Sequence, residues 1–588
     1  MSKTIYIGLN DNFHDPSICI LDSEGKLVFA ESSERYLQYK RALGCPPDLE
    51  LYFEEIISSH FPKDKYHVVI GSSWSKTRHN SSKFFDLIGF FNYDSHSFFR
   101  RLFKKMGAHR SFHYGSLRAA AALTQSGAGV FKLFNKWNLD SVVTRQYFNH
   151  HLAHIANAIA CSNESEGIGL VIDGGGEGTA ISIYYIQNNS PKLVKAIRSK
   201  FSLGTLYSLV TNAIGYSSLK GEEWKVMGLA PYGKPNALFD SVLKDIFRIR
   251  NNKYTTKGEI LGKYEEELKS FITKHQLPKE DVAHTTQNVY LEYLEDIISY
   301  SKKLIPNQST AFISGGSALN SSAMGVISER RLFEKIIIPN APADDGNSIG
   351  AAVLAYINHT NKLPDINSVR SPYLGSEIIN SSIEKYIATS FLPFKKLEDA
   401  PAYAAQLLNQ NKIIGWIQGR AEFGPRALGN RSILAHPGFS DNKDRINSAV
   451  KFREGYRPFA PSILDEFGSE YFKNYSFTPY MEKALSFKDE VKDKVPAVVH
   501  VNGTGRLQSV TKDINEKYYQ LIHNFYKLSG LPLVVNTSYN VMGKPIVHDL
   551  NDVMAVFFNS SIDAVIINDY VIERSSLSAK DNHRDGVI

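Results

Sequence analysis

Three short strand patterns at the start of the chain recur in the same order further on, and this duplication limits the fold more than any other feature. Residues 4–9 (TIYIGL), 17–22 (SICILD) and 26–31 (KLVFAE) are apolar and rich in β-branched side chains; Ser23, Glu24 and Gly25 turn the last pair into a hairpin. GLVIDGGG (169–176), TAISIYYI (179–186) and KLVKAIRS (192–199) repeat the plan. A three-stranded unit that occurs twice, each copy followed by helical sequence, predicts two α/β lobes.

Duplicated lobes of this kind predict an α/β fold of the actin-like ATPase and sugar-kinase type (ASKHA), with nucleotide in the cleft between them. The tight turn after the first strand of each lobe then faces the phosphates. In the second copy that turn is Asp173-Gly174-Gly175-Gly176-Glu177-Gly178-Thr179, whose glycines allow backbone N–H groups to approach an anion. In the first copy it is Asn10-Asp11-Asn12-Phe13-His14-Asp15-Pro16. His14 has the side chain best suited to taking a proton near neutral pH. Between the copies, residues 72–148 are rich in Phe, Tyr, Lys and Arg and predict an inserted helical subdomain.

Just before the second copy stands Asn149-His150-His151-Leu152-Ala153-His154, at the head of a predicted helix from His150 to Cys161. His150 and His154 are four apart and share one helix face, which is the geometry of a bidentate metal clamp. Asp173 lies at a strand end. A carboxylate of the loop Asn340-Ala341-Pro342-Ala343-Asp344-Asp345-Gly346-Asn347 completes a set of two His and two Asp, which suits iron or manganese better than structural zinc. The glycine-interrupted segment 201–235 reads as cleft lining. The strand AFIS, with its turn Gly315-Gly316-Ser317-Ala318-Leu319-Asn320, reads as an adenine and ribose platform.

The polar, proline-bearing residues 363–372 predict a linker between an N-terminal domain (1–362) and a C-terminal domain (373–588), and at 588 residues more than one core is expected. Beyond the linker, Gly419–Arg431 holds three arginines and three glycines, followed by Lys451, Arg453, Arg457 and Gly503-Thr504-Gly505-Arg506. Arginine forks on glycine-freed loops predict a closed pocket for phosphate or carboxylate rather than a solvated basic face. Asn536, Thr537 and Ser538 end a buried strand and can orient the same anion. The net charge of +7 is too small for a dedicated nucleic-acid binder. Three cysteines at unrelated spacings, no long apolar leader and no membrane-length apolar run predict a reduced, cytoplasmic setting.

The set FHD, NHHLAH, IDGGGEGT, MGLAPYG, SGGSALN, DDGNSIGAA, GRAEFGPRALGNRSILA, KFREGYRPFAPS and VVNTSYNV resembles the NodU/CmcH family of O-carbamoyltransferases over nearly the whole chain. The resemblance implies a second domain like YrdC, which converts carbamoyl phosphate and ATP with Mg(2+) to a carbamoyl-adenylate, and a first domain that passes the carbamoyl group to an alcohol of a small-molecule natural product. Carried over residue by residue, it implies His14 as the base on the acceptor hydroxyl and Asn12 in acceptor binding. It implies His150, His154, Asp173 and Asp345 as ligands of iron(II), Fe(2+). Lys40, Gly204, Gly316 and Asn320 would contact the adenylate, and Arg426, Lys451, Arg457, Arg506, Asn536 and Ser538 would bind carbamoyl phosphate and ATP. His151 falls off the ligand face. The chain departs from the family pattern at His436-Pro437-Gly438 and at Gly543-Lys544-Pro545.

The expected partners are a small-molecule alcohol, with no nucleic acid and no membrane, the protein being a monomer or homodimer. The rival readings are a tRNA threonylcarbamoyladenosine-type modification enzyme, with strongly salt-dependent RNA affinity, and an actin-like kinase needing neither histidine pair nor arginine pocket.

Overall fold

The computed structural model describes residues 3–80, 124–137, 140–257 and 261–581. Most of the aromatic insert expected within 72–148 lies outside these residues. Grouped by their contacts, the residues form two units whose bounds differ from the expected 1–362 and 373–588. Unit 1 is Met1–Ser202, Leu304–Ser317 and Lys335–Leu374; unit 2 is Leu203–Lys303, Ala318–Glu334 and Gly375–Ile588. The segment 363–372, expected as a linker, carries the helix Ile366–Arg370 within unit 1. Val369 is fully buried there, and Ser368 Oγ accepts from Leu27 N–H at 2.8 Å, so the apolar residue outweighs the polar composition.

Unit 1 contains the duplication. β1 (Lys3–Asn10), β2 (Ser17–Leu21), β3 (Leu27–Ser32), β4 (Tyr66–Ser72) and β5 (Val142–Tyr147) form a sheet of order β3-β2-β1-β4-β5. β6 (Gly167–Gly176), β7 (Thr179–Gln187) and β8 (Ser190–Arg198) join Thr310–Ser314 and Lys335–Ile337 in a second five-stranded sheet with the same plan. In each, three antiparallel strands are extended by two parallel ones. The registers Tyr6↔Leu21 and Leu170↔Ile183 pair the first two strands of each copy.

β1 is buried over six consecutive residues, as a strand covered on both faces must be. One cover is the helix Asn347–Thr360, which lies so close that a β-carbon at Gly8 would meet Ser348 O at 1.9 Å. That contact carries Asp344 and Asp345, just ahead of the helix, to the end of β1.

In unit 2 an eight-stranded mixed sheet runs in the order Lys395–Lys396, Tyr570–Glu573, Ala564–Ile567, Ile414–Ile417, Arg431–Ala435, Leu533–Ser538, Ala460–Leu464, Gln508–Val510. Alternation divides its side chains between two cores. Ile414, Trp416 and Leu434 face Ala404, Leu408, Leu521 and Phe525, whereas Ile417, Ile433 and Val535 face Val553 and Phe557. Among the described residues no helix is long and apolar enough to cross a membrane.

Candidate functional site

The first polar centre lies in unit 1. The helix His150–Ala160 is capped by Asn149, whose side chain accepts from Leu152 N–H at 3.2 Å. His150 and His154 are both fully buried, with ring centroids 4.9 Å apart. Asp173 from β6 and Asp344 from the turn Asp344–Gly346 join them, and the four donor atoms lie within 4.8 Å of one another. His150 Nε2 stands 3.7 Å from Asp173 Oδ2 and 3.6 Å from Asp344 Oδ1; His154 Nε2 stands 3.4 Å from Asp344 Oδ1.

The surroundings orient this set. Ser314 Oγ donates to Pro342 O at 3.1 Å and lies 3.4 Å from His154 Nδ1. The hydroxyl therefore accepts from Nδ1–H, which leaves His154 Nε2 as a lone pair. That nitrogen is buried and has no hydrogen-bond partner among the described residues. A buried lone pair facing two carboxylates is the arrangement a divalent cation reconciles, and the mixed N/O donors suit a transition metal. His150 stacks on Trp74 with centroids 4.3 Å apart. Gly176 is required beside it, since a β-carbon there would fall 2.4 Å from the imidazole. Asp173 is fixed by backbone N–H groups, Gly316 to Oδ1 at 3.1 Å and Gly175 to Oδ2 at 3.3 Å.

Burial opposes ionisation of both carboxylates, but the histidines overcome it. His150, by its charge and its hydrogen bonds, holds Asp344 well below the usual carboxylate range and does the same for Asp173 although Asp344 repels it. Reciprocally, the two carboxylates outweigh burial and push His150 up to about 10. His151 is buried, bonded through Nδ1 to Ser182 Oγ at 2.7 Å, and pushed down to about 3 by burial and by His150. It is structural.

The expected ligand Asp345 is not in the cluster; its neighbour Asp344 is. Successive residues of a 3₁₀ turn point in different directions. Asp345 Oδ1 accepts from Gly346 N–H at 3.1 Å, and burial together with the nearby charges of Asp15, Glu34 and Asp344 pushes its carboxyl up to about 8. Its carbonyl accepts from Ser17 Oγ at 2.6 Å and Ser348 Oγ at 3.0 Å.

His14 borders the cluster, with Nδ1 3.0 Å from Asp15 Oδ2 and 3.5 Å from Asp344 Oδ2. Asp15 is itself anchored by Arg41 at 3.1 Å. With Nδ1–H held by carboxylates, Nε2 is the nitrogen left to accept a proton. Asn12 donates its amide to Asp344 and accepts from Phe13 N–H at 2.8 Å, so it holds a carboxylate in place. Lys40 is exposed in unit 1, as part of a short 3₁₀ turn. Of the other expected adenylate contacts, Gly316 belongs to unit 1, and Gly204 and Asn320 belong to unit 2. There Asn320 caps the helix Ser321–Glu329 and donates to Gln287 Oε1 at 2.9 Å.

The second polar centre lies wholly in unit 2. Arg426, Arg453 and Arg457 surround Arg506; burial, followed by repulsion from these three, drives Arg506 well below the usual guanidinium range. Burial alone brings Arg426 down to about 10. Arg506 Nε and Arg453 Nη2 are buried without partners among the described residues. A cluster of four guanidinium groups, two of them with unused buried N–H donors, makes an anion site. Arg506 also lines a cleft with Met227, Gly228, Tyr232, Tyr456 and His500, so the end of the glycine-interrupted segment 201–235 lines a cleft, while its start is the helix Leu203–Ala213, whose Leu206, Leu209 and Val210 are buried.

The remaining basic residues divide differently. Arg431 is fully buried and donates to the carbonyls of Gln418, Asn430, Gly419 and Ser376 at 2.7, 2.9, 2.9 and 3.0 Å. Arg420 donates to Gly375 O at 3.1 Å. Glu422 Oε1 accepts from Leu428, Asn430 and Arg431 N–H, which shapes the loop presenting Arg426. Lys451 is buried against Ser538 and Asn540, with Nζ 3.1 Å from Ser538 Oγ and 3.1 Å from Asn540 O. Asn536 Nδ2 donates to Ser462 Oγ at 3.0 Å, while its Oδ1 is buried without a partner. At the two departures from the family pattern, His436 Nδ1 accepts from Gly438 N–H at 3.0 Å, and Gly543 has a left-handed φ of 82°.

Two family descriptions match the chain: "Carbamoyltransferase N-terminus" over residues 95–353 and "Carbamoyltransferase C-terminus" over residues 405–574. Nodulation protein NolNO of Sinorhizobium fredii is 31% identical over 74% of this chain and 65% of its own length. The alignment thus spans just under two thirds of that relative. Nodulation protein NolO of Bradyrhizobium diazoefficiens is 30% identical over 74% of this chain and 80% of its own length. Among solved structures, (R)-2-hydroxyglutaryl-CoA dehydratase component A of Acidaminococcus fermentans is similar at 10% identity and a TM-score of 0.32, covering 61% of this chain and 99% of that one.

Proposed function

The chain belongs to the carbamoyltransferase family, and from this premise we propose that it is an ATP-dependent O-carbamoyltransferase acting on a small-molecule alcohol. The observation that carries the reading is the set Arg426, Arg453, Arg457 and Arg506, in which Arg506 is buried among three cations and Arg506 Nε and Arg453 Nη2 keep unused donors, an arrangement that suits a polyanion. These residues bind carbamoyl phosphate and Mg(2+)-ATP. Water releases phosphate from carbamoyl phosphate, a carbamate oxygen attacks the α-phosphorus of ATP, and pyrophosphate leaves. The carbamoyl-adenylate so formed is consumed at the histidine cluster of unit 1.

There the acceptor's oxygen attacks the carbamoyl carbon and AMP leaves. His14 Nε2 takes the hydroxyl proton, while Asp15 and Asp344 stabilise the imidazolium that results. His150, His154, Asp173 and Asp344 would hold iron(II). A divalent ion held by these residues would supply positive charge beside the departing adenylate phosphate. Exclusion of water matters because both carbamoyl phosphate and carbamate are labile.

Replacing His14 with Gln tests the assignment. Carbamoylated product should fall by roughly 10²–10⁴-fold, with carbamoyl phosphate-dependent pyrophosphate release retained. Loss of both activities together would remove His14 from the acceptor step.

The same scheme makes metal binding pH-dependent. With His150 held near 10, the metal-free cluster carries a proton there at neutral pH, and a cation must displace it. Affinity should therefore rise about tenfold per pH unit toward that value. Calorimetry of Fe(II) or Mn(II) binding in buffers of different ionisation enthalpy should record about one proton released; no release would contradict the charge state assigned to His150.

A further inference from the structure

Glu454 stands between two cations of unit 2. Its Oε1 is 2.9 Å from Lys225 Nζ, while its Oε2 is 3.7 Å from Arg457 Nη1. Lys225 also holds Glu222 at 2.9 Å, and Tyr216 lies 4.9 Å beneath its amine, so the lysine is fixed from three sides. Arg457 lies flat on Trp224, its guanidinium carbon 3.6 Å from the ring centre. Trp224 and Lys225 are consecutive on the helix Glu223–Leu229. One short element thus supplies both a plate for Arg457 and a cation for the acid beside it.

Without Lys225, Arg457 would be the cation nearest to Glu454. A carboxylate and a guanidinium in reach of each other close into a paired fork, and that fork would use the donors an anion needs. It would also cancel one of the four positive charges of the cluster.

We propose that Lys225 and Trp224 are positioning residues that keep Arg457 available to a phosphate-bearing ligand, Lys225 by engaging Glu454 and Trp224 by holding the guanidinium plane. This rests on the reading of the arginine cluster as an anion site. The long Glu454–Arg457 separation beside the short Glu454–Lys225 one is the geometry such an arrangement requires. A helix that merely fastened the loop would have no use for the acid between the two cations.

Calorimetric titration of inorganic pyrophosphate into the full chain tests this. Lys225→Met should weaken pyrophosphate binding on the order of tenfold, because Glu454 then captures Arg457. Adding Glu454→Gln to that variant should restore affinity to within about twofold of the unaltered chain. Glu454→Gln alone should bind at least as tightly as the parent. Unchanged affinity in Lys225→Met, or a loss that Glu454→Gln leaves in place, would overturn the proposal in favour of a fastening role. If the unaltered chain fails to bind pyrophosphate at all, the anion reading of the cluster falls first, and this inference with it.

Discussion

Asp344→Asn is expected to strip the unit 1 cluster of its metal and to abolish carbamoyl transfer, leaving pyrophosphate release intact. Asp344 is the carboxylate closest to His154 Nε2, it faces His150, and it is held by Asn12 and beside His14. An amide there removes the charge that the cation and both imidazoles share. A loss of 10–100-fold in metal affinity is what outer partners of metal ligands typically cost, and a ligand itself should cost more. Metal content after dialysis and product formation should fall together.

The matched control is Asp345→Asn. Burial and acidic neighbours push that carboxyl up to about 8, so at neutral pH it is already largely neutral, and an amide of the same shape is a mild replacement. Metal content should stay near the parental value. The reverse outcome, with Asp345→Asn losing metal and Asp344→Asn retaining it, would overturn the assignment of the turn.

The second large effect is at Arg426. Arg426→Ala should reduce pyrophosphate release by on the order of 10²-fold or more, as loss of a preorganised charge at a transferring phosphate does. Thermal stability should be unchanged or raised, because burial already disfavours this cation and Arg506 repels it. Arg431→Ala should do the opposite. Its guanidinium donates to four carbonyls from a fully buried position; Asn430 O keeps its bond from Gln418 N–H when the guanidinium is removed, and each of the others left without a partner or water costs about 1–3 kcal/mol. A lowered melting temperature in Arg431→Ala, with activity lost only in proportion to unfolding, separates the scaffold arginine from the ligand arginine.

These contrasts mark where the sequence could be read and where it could not. The duplicated sheets were legible because strand periodicity and turn residues are local properties, and both copies carry them. The pair His150 and His154 was legible because helical spacing fixes their shared face. Asp344 against Asp345 was not, since adjacent acids in a one-turn 3₁₀ element are separated only by the turn's own dihedral angles. Asn12 is polar and lies in the right loop, yet its amide is used on Asp344. Arg420, Arg426 and Arg431 look alike in a glycine-rich run. What divides them is that Arg431 begins a buried strand while Arg426 sits at the tip of the loop shaped by Glu422.

Lys451 and Asn536 were assigned to ligand from their motifs, and much of their hydrogen bonding goes to Ser538, Asn540 and Ser462. KFREGYR puts Arg453 among the arginines expected to form the anion pocket without giving it an individual contact, and its burial beside Arg506 agrees with that place. Trp224 and Lys225 carried a weaker signal still. A Trp-Lys pair among glycines is ordinary in sequence, and its meaning comes from Arg457 and Glu454, which are distant along the chain.

The central claim is that ATP is split between its α- and β-phosphates in the arginine-lined centre, with the carbamoyl group carried as an adenylate. Phosphorus NMR of the chain incubated with carbamoyl phosphate, Mg(2+)-ATP and a candidate alcohol tests it most directly. The account predicts AMP and pyrophosphate in equal amounts, both dependent on carbamoyl phosphate. ADP appearing with a phosphorylated alcohol, indifferent to carbamoyl phosphate, would contradict it.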